Sequence, residues 1–487
     1  MVSGPRLLPA VGLAALCFSF LGCTVSFSDG QPEYAAALAS SLLYFEGQRS
    51  GRLPPDQRVR WRGDSALADG GDHGRPHRRL LDAGDNVKFG FPMAFTVTML
   101  SWGVVEYAGQ LDAAGELRNA LAAVRWGADY LARAHAGGEA LYVQVGDGDA
   151  DHSCWQRPED MDTPRTRPGS DVAAETAAAL AAAAPRSAGS TAGTARRSSC
   201  TPSSFSVSPV TAVACTTTAC RRPPSSILAA ATSDELLWAA AWLYVATGGE
   251  EYKTYIAGAG NGGGVRPAFS WDDKFVGAQA LVTKLVLHRR LPDAGNHTVL
   301  RSNLEQFLCN VMQHGGGGGG DVKVSPGGML WWQAWNNLQY VTAAAFVLAA
   351  HGDHLAAAGA SLQCGGASLP PQQLLAFARS QVDYILGANP RRTSYMVGHG
   401  ESFPAQLHHR GASLPSIKSS PGKVTCKGGF AYMAKAAPNP NVIAGAIVGG
   451  PDANDWYNDT RQNYQQGEPS TVTVAPIVGV LARLLQK

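Results

Sequence analysis

Charge is scarce in this 487-residue chain: charged residues make up 16%, and 40 Lys+Arg nearly cancel 38 Asp+Glu, for a formal charge of +2. No block of basic residues stands out, so the electrostatic footprint of a nucleic-acid binder is missing. Beyond the N-terminus there is no run of 18 consecutive apolar residues, and no later membrane span is expected. Alternating β-branched runs are also rare, which argues against a core built from sheet. At 45% hydrophobic, the chain is not disordered as a whole. The partner that suits such a surface is a neutral or weakly acidic polymer, with no nucleic acid and no stable membrane association.

What is present starts with an export signal. Arg6 precedes an apolar, small-residue run from Leu7 to Cys23, which reads as a secretory leader over about residues 1–27. Residues 28–487 are then expected to form one domain, secreted and monomeric, with no accessory module attached. Seven cysteines follow the leader: Cys154, Cys200, Cys215, Cys220, Cys309, Cys364 and Cys426. Export permits disulfides, but the count is odd and spacing does not give the pairing. Asn296-His-Thr is a glycosylation sequon in what reads as a loop; Asn458-Asp-Thr is a second, set within a chemical motif.

Helical period runs through Leu117 to Ala134 and Gln372 to Leu386. Ala173 to Ala184, Glu235 to Ala246, Lys274 to Leu287 and Asn337 to Ala350 are rich in Ala and Leu. Helices with small residues on several faces pack on both sides, as a layered helical barrel requires. Reactive and aromatic side chains gather between them, in 84–92, 151–166, 331–337, 398–411 and 449–476. Residues 185–232 lack any hydrophobic period and carry Pro223-Pro-Ser-Ser and three of the cysteines. They read as a disordered insertion or as a stretch that replaced native structure.

Asp82-Ala-Gly-Asp85 places two carboxylates three residues apart; in a helical turn they would share a face. Such a pair can activate a water, one as base and one as orienter. An N-cap or a calcium loop explains the tetrad about as well, and a structural calcium stays open. Tyr457-Asn-Asp459-Thr-Arg461-Gln-Asn-Tyr464-Gln-Gln-Gly-Glu468 supplies the second acidic set, where burial of Glu468 would suit a general acid. An ion pair between Arg461 and Asp459 at a surface turn is the plainer alternative. His408-His-Arg410 lacks zinc spacing and reads as hydrogen-bond donors to sugar hydroxyls and to a carboxylate. Trp155, Trp271 and Trp332 offer faces for pyranose stacking, with His152 on the same rim as Trp155. Trp331, Trp335 and Tyr340 belong to the same aromatic set.

At these motifs the sequence resembles glycoside hydrolase family 9, the plant endo-β-1,4-glucanases. The stretches that carry it are Tyr44-Phe-Glu-Gly-Gln-Arg-Ser-Gly, Trp61-Arg-Gly-Asp-Ser, Asp82-Ala-Gly-Asp-Asn-Val-Lys-Phe-Gly, Cys154-Trp-Gln-Arg-Pro-Glu-Asp, Ser394-Tyr-Met-Val-Gly, His408-His-Arg-Gly and Pro440-Asn-Val-Ile-Ala-Gly-Ala-Ile-Val-Gly-Gly-Pro. The resemblance implies an all-α (α/α)6 barrel, a six-hairpin toroid whose long loops form an open cleft. It also implies hydrolysis of a cellulose-like β-1,4-glucan with inversion, no cofactor, and a cell-wall location. By the same resemblance Asp85 is the general base, Asp82 holds the water, and Glu468 is the general acid. His408, Arg410 and Asp459 support the cleft, and Tyr464 lies among the substrate contacts. Inversion calls for base and acid carboxyls roughly 6.5–9.5 Å apart.

Three departures from the family pattern stand out. Arg78-Arg-Leu-Leu81 replaces Gly-Gly-Tyr-Tyr before Asp82, and Val472 and Val474 replace a Tyr and an Asn after Glu468. Residues 185–232 replace a barrel helix and its loop, with abrupt edges that suggest a reading-frame change; transcript sequencing decides this. Two other functions stay open: hydrolysis of another wall glycan (xyloglucan, xylan or glucomannan), and glycan binding with activity lost.

Overall fold

The computed structural model describes Met1 and residues 33–69, 79–137, 140–141, 144–163, 173–184, 233–316 and 320–486. The leader, the anomalous segment 185–232 and the centre of the Gly315–Gly320 run lie outside them. The chain divides at Gln31/Pro32, and the helices and the site all belong to the unit from Pro32 onward.

Eleven helices of eight or more residues are present among the described residues. They are α1 (Tyr34–Gly47), α2 (Gly90–Ala113), α3 (Leu117–Ala134), α4 (Ala173–Ala183), α5 (Ser233–Thr247), α6 (Glu250–Ala257), α7 (Phe275–Leu287), α8 (Asn296–Val311), α9 (Leu338–Ala358), α10 (Pro371–Ile385) and α11 (Thr471–Leu484). Six of them close a ring, each packed on the next in the order α2, α4, α5, α7, α9, α11 and back to α2. The others stand outside it: α1 on α11, α3 on α2 and α4, α6 on α5, α8 on α7, and α10 on α9. This is the (α/α)6 toroid.

Composition sorts the two layers. Ring helices are apolar nearly all round, as in Leu338-Gln-Tyr-Val-Thr-Ala-Ala-Ala-Phe-Val-Leu of α9, because each is covered by neighbours on several sides. Thus α9 has the length and apolarity of a membrane span, yet most of that stretch is buried inside the protein. Outer helices carry one apolar stripe. In α3 the stripe runs through Ala120, Val124, Gly127 and Leu131, while Leu121, one of its leucines at helical spacing, faces outward at 37% exposure. The buried side favours small residues because α3 lies close on α2: a Cβ at Gly127 would come within 2.3 Å of Val97 Cγ2.

The ring helices share one polarity. Cavity-lining residues come from the N-terminal ends of α2, α5, α9 and α11 and from the residues just before α7. At the other end Glu106 of α2 meets Lys284 of α7 and His354 of α9, and Arg483 of α11 meets Asp353 of α9. The site therefore sits at the helices' positive ends. Short antiparallel pairs pin its loops: Arg49–Ser50 on Arg79–Leu80, and Lys88–Phe89 on Gln144–Val145.

Two disulfides, Cys154–Cys426 and Cys309–Cys364, use the four cysteines among the described residues. The three that make the count odd all lie within 185–232. Asn296 is not in a loop but opens α8, where its Nδ2 donates to the Ala257 carbonyl at 2.6 Å.

Candidate active site

The loop carrying Asp82 and Asp85 is a run of bends, not a helical turn, so the carboxylates are arranged by tertiary contacts. Gly84 makes its close docking possible: a Cβ there would fall 2.1 Å from the His408 carbonyl oxygen. Its N–H donates to Glu468 Oε1 at 3.1 Å, and its carbonyl accepts from the Arg410 N–H at 2.9 Å. One glycine thus joins its own motif to two others more than 300 residues further along the chain.

Asp82 is buried, and its Oδ1 accepts from Thr471 Oγ1 at 2.7 Å. Burial raises its pKa to about 7 against the Thr471 hydrogen bond, with Asp85 adding to the rise. Asp85 Oδ1 accepts from the Val87 N–H at 3.2 Å, and its Oδ2 lies 3.2 Å from His152 Nε2. That hydrogen bond raises the His152 pKa. Glu468 keeps an edge open to the cleft but is ringed by dense protein; burial, then the Asp85 charge, push it up to about 8 while Arg410 opposes.

These acids open on a cavity of about 860 Å³. Asp82, Asp85, His152 and Glu468 share its wall with the rings of Phe91, Trp271, Trp335 and Tyr340. Acids beside aromatic faces are what hydrolysis of a stacked pyranose chain needs.

Other expected site residues stand behind this wall. Trp155 is 2% exposed; its Nε1 donates to Ser413 Oγ at 2.9 Å, and its ring backs His408 at 4.9 Å. It supports the site and offers no face to a ligand. Arg410 is also buried: it holds a carboxylate, as expected, binding Asp151 Oδ2 at 3.2 Å along with the Cys154 carbonyl at 3.2 Å, but it does not line the cavity where the expected sugar contact would be made. Trp332 donates to the Pro267 carbonyl at 2.7 Å and leans on Tyr340 at 5.8 Å, so Tyr340 faces the cavity in its place. His408 Nδ1 donates to the Arg461 carbonyl at 2.7 Å, and burial lowers its pKa to about 4. Tyr464 is 42% exposed at the rim, 5.1 Å from the Trp335 ring and 5.9 Å from His408.

Asp459 accepts the N–H groups of Ala405 and Gln406 at 2.8 and 3.0 Å, fixing the segment that leads to His408. Arg461 does not pair with it at a surface turn. It is buried among the carbonyls of Tyr432, Met433, Lys435 and Ala437 and the Asn439 side chain. Sequence reasoning missed Thr471, Asp151 and Glu235, the last of which lines the cavity from the first turn of α5. Thr471 lies three residues after Glu468 and Asp151 directly before His152, so adjacency to named residues was the available signal.

Asp85, Asp151 and His152 bring ligand atoms within 4.8 Å of one another, close enough to share a metal ion. Calcium takes six to eight oxygens, and here Arg410 already neutralises Asp151. The group does not fit a structural calcium.

Residues 34–481 match the model for glycosyl hydrolase family 9. The chain belongs to that family. It is 60% identical to Endoglucanase 14 of Oryza sativa subsp. japonica, over 95% of this chain and 97% of the relative. Endoglucanase 15 of Arabidopsis thaliana is 48% identical over 97% and 98%. Among solved structures, the endoglucanase of the termite Nasutitermes takasagoensis superposes with a TM-score of 0.75 at 32% identity, over 93% of this chain and 98% of that one. CelQ of Clostridium thermocellum, solved with cellotetraose, gives a TM-score of 0.72 at 28% identity, over 93% and 70%. This family 9 chain thus shares its barrel with the solved endoglucanases of a termite and of Clostridium thermocellum.

Proposed function

We propose that the cavity is the active site of an endo-β-1,4-glucanase acting on cellulose-like glucans by inversion. The observation that carries this is the joint presence on its wall of Glu468, which holds a proton near neutrality, and the Asp82/Asp85 pair. Asp85, steadied by the Val87 N–H and His152, takes the proton of the attacking water while Asp82 orients that water. Glu468 Oε1 receives the Gly84 N–H, which leaves Oε2 to protonate the departing glycosidic oxygen. Trp271, Tyr340 and Trp335 would stack the glucan. His408, Arg410 and Asp459 act through the backbone and Asp151, as supports.

Release of reducing ends from carboxymethylcellulose tests this, with xyloglucan, xylan and glucomannan as rivals. Asp85→Asn and Glu468→Gln should each lower turnover by about 10³-fold while the protein stays folded; full turnover in either removes the assigned role. Hydrolysis of a bulkier wall glycan is the second reading. It is favoured by Val472, which lines the cavity where the resembling family shows Tyr. Export to the cell wall is supported by the leader-like N-terminus and the two disulfides.

A further inference from the structure

Gln48 follows α1 directly, and its side chain is completely buried. Its Nε2 donates to two carbonyls, Leu81 at 3.1 Å and Ala83 at 2.8 Å, which flank Asp82 on either side. Its backbone carbonyl accepts the Leu81 N–H at 2.8 Å. Its Oε1 lies 3.0 Å from His409 Nε2. His409 Nδ1 accepts the Ala412 N–H at 3.0 Å, so the ring proton must sit on Nε2 and point at Gln48. Burial, with Arg62 and Arg410 nearby, lowers the His409 pKa to about 3, and this tautomer holds across the working range.

We propose that Gln48 is a positioning residue for the hydrolysis assigned above: its amide ties the Asp82 loop to the His408–Arg410 segment. The bonding pattern demands an amide. Two donors are needed for two carbonyls and one acceptor for an imidazole N–H; a carboxylate lacks the donors, and a thioether lacks the donors and accepts only weakly. The brace acts on both halves of the reaction. Asp82 lies between the clamped carbonyls, and the next residue after Ala83 is Gly84, whose N–H holds Glu468. Releasing the clamp lets the water-holding acid and the proton donor drift relative to each other, without touching the aromatic wall that binds substrate.

This role rests on the hydrolase reading, and the parent chain is assayed first on carboxymethylcellulose. In Gln48→Glu, which keeps the acceptor for His409 but not the donors, and in Gln48→Met, kcat should fall about tenfold to a hundredfold while KM stays within about twofold. A residue that serves folding alone would lower the fraction of active protein without changing the turnover of the folded part, which active-site titration against thermal melting separates. Turnover within about twofold of the parent in either folded variant, or a loss carried wholly by KM, overturns the role. If both variants fail to fold, His409→Leu reads the brace from its other side: a smaller kcat loss at constant KM supports it, and unchanged kcat overturns it. An inactive parent sinks the hydrolase reading along with this role; an active parent with unaffected variants sinks this role alone.

Discussion

At the far mouth of the ring, Glu106 sits between Lys284 at 2.5 Å and His354 at 3.4 Å, and Arg483 grips Asp353 at 2.8 Å. At the near mouth, Asp82 and Glu468 meet a threonine hydroxyl and a backbone N–H, and among the described residues neither makes an ion pair. Burial would raise Glu106, but His354 and Lys284 outweigh it and bring the carboxyl down to about 2. At the near mouth burial prevails, holding Asp82 at about 7 and Glu468 at about 8. At the same mouth the buried Lys274 lies 3.8 Å from Glu175 and 3.4 Å from the cavity-lining Glu235, and these carboxyls also rise, to about 7 and about 8. One ring thus handles buried acids in two ways. Paired acids stabilise the barrel, while crowded and undercompensated acids keep protons that chemistry can use.

The largest expected effect tests the near mouth. Glu468→Gln should lower kcat by about 10³-fold in steady-state assays, whereas Glu106→Gln at the far mouth should leave kcat within about twofold. Comparable losses from both would erase the distinction. Next, Lys284→Met should cost about 2–4 kcal/mol in urea unfolding, because it strands the Glu106 charge. Glu235→Gln, which imitates a carboxyl that keeps its proton on folding, should gain up to about 2–3 kcal/mol of stability relative to the parent between pH 6 and pH 9, as the parent's folded carboxyl is forced to ionise.

The smallest effect is a slope with pH, and its sign differs between the mouths. Near-mouth acids have folded pKa values raised above their ordinary ones, so their contribution is full in acid and is lost as pH rises toward 8. Glu106 is depressed, so its contribution is full above 4.5 and is lost as pH falls toward 2. Melting temperature should therefore decline from pH 5 to pH 8, and activity should fade over the alkaline part of that range as Glu468 loses its proton. A melting temperature rising steadily from pH 5 to pH 8 would contradict the near-mouth reading.

Much of the barrel was legible in the sequence. Leu117 to Ala134 shows a 3.6-residue period and is α3 to the residue, and the Ala-rich runs became ring helices. Leu121 keeps that spacing yet faces outward, because periodicity marks a stripe but not which edge of it meets the neighbour. The acids were legible as residue types in Gly-containing loops, though their bend conformation was not, because three-residue spacing is equally compatible with a helical turn. Trp155 looked like a sugar platform beside His152 and proved to be a buried prop. Whether an indole faces water or His408 depends on a loop more than 200 residues away, tied to it by Cys154–Cys426.

The sequence alone determined the helical period, the low charge and the two acidic sets near opposite ends of the chain. Local pattern and residue chemistry are sufficient for those. Only the tertiary structure decided that Gly84 holds Glu468, that Gln48 clamps both sides of Asp82, and that Lys284 neutralises Glu106 while burial leaves Glu468 its proton. Hydrogen bonds and desolvation between segments distant in sequence depend on ångström-scale placement, which the order of residues does not display.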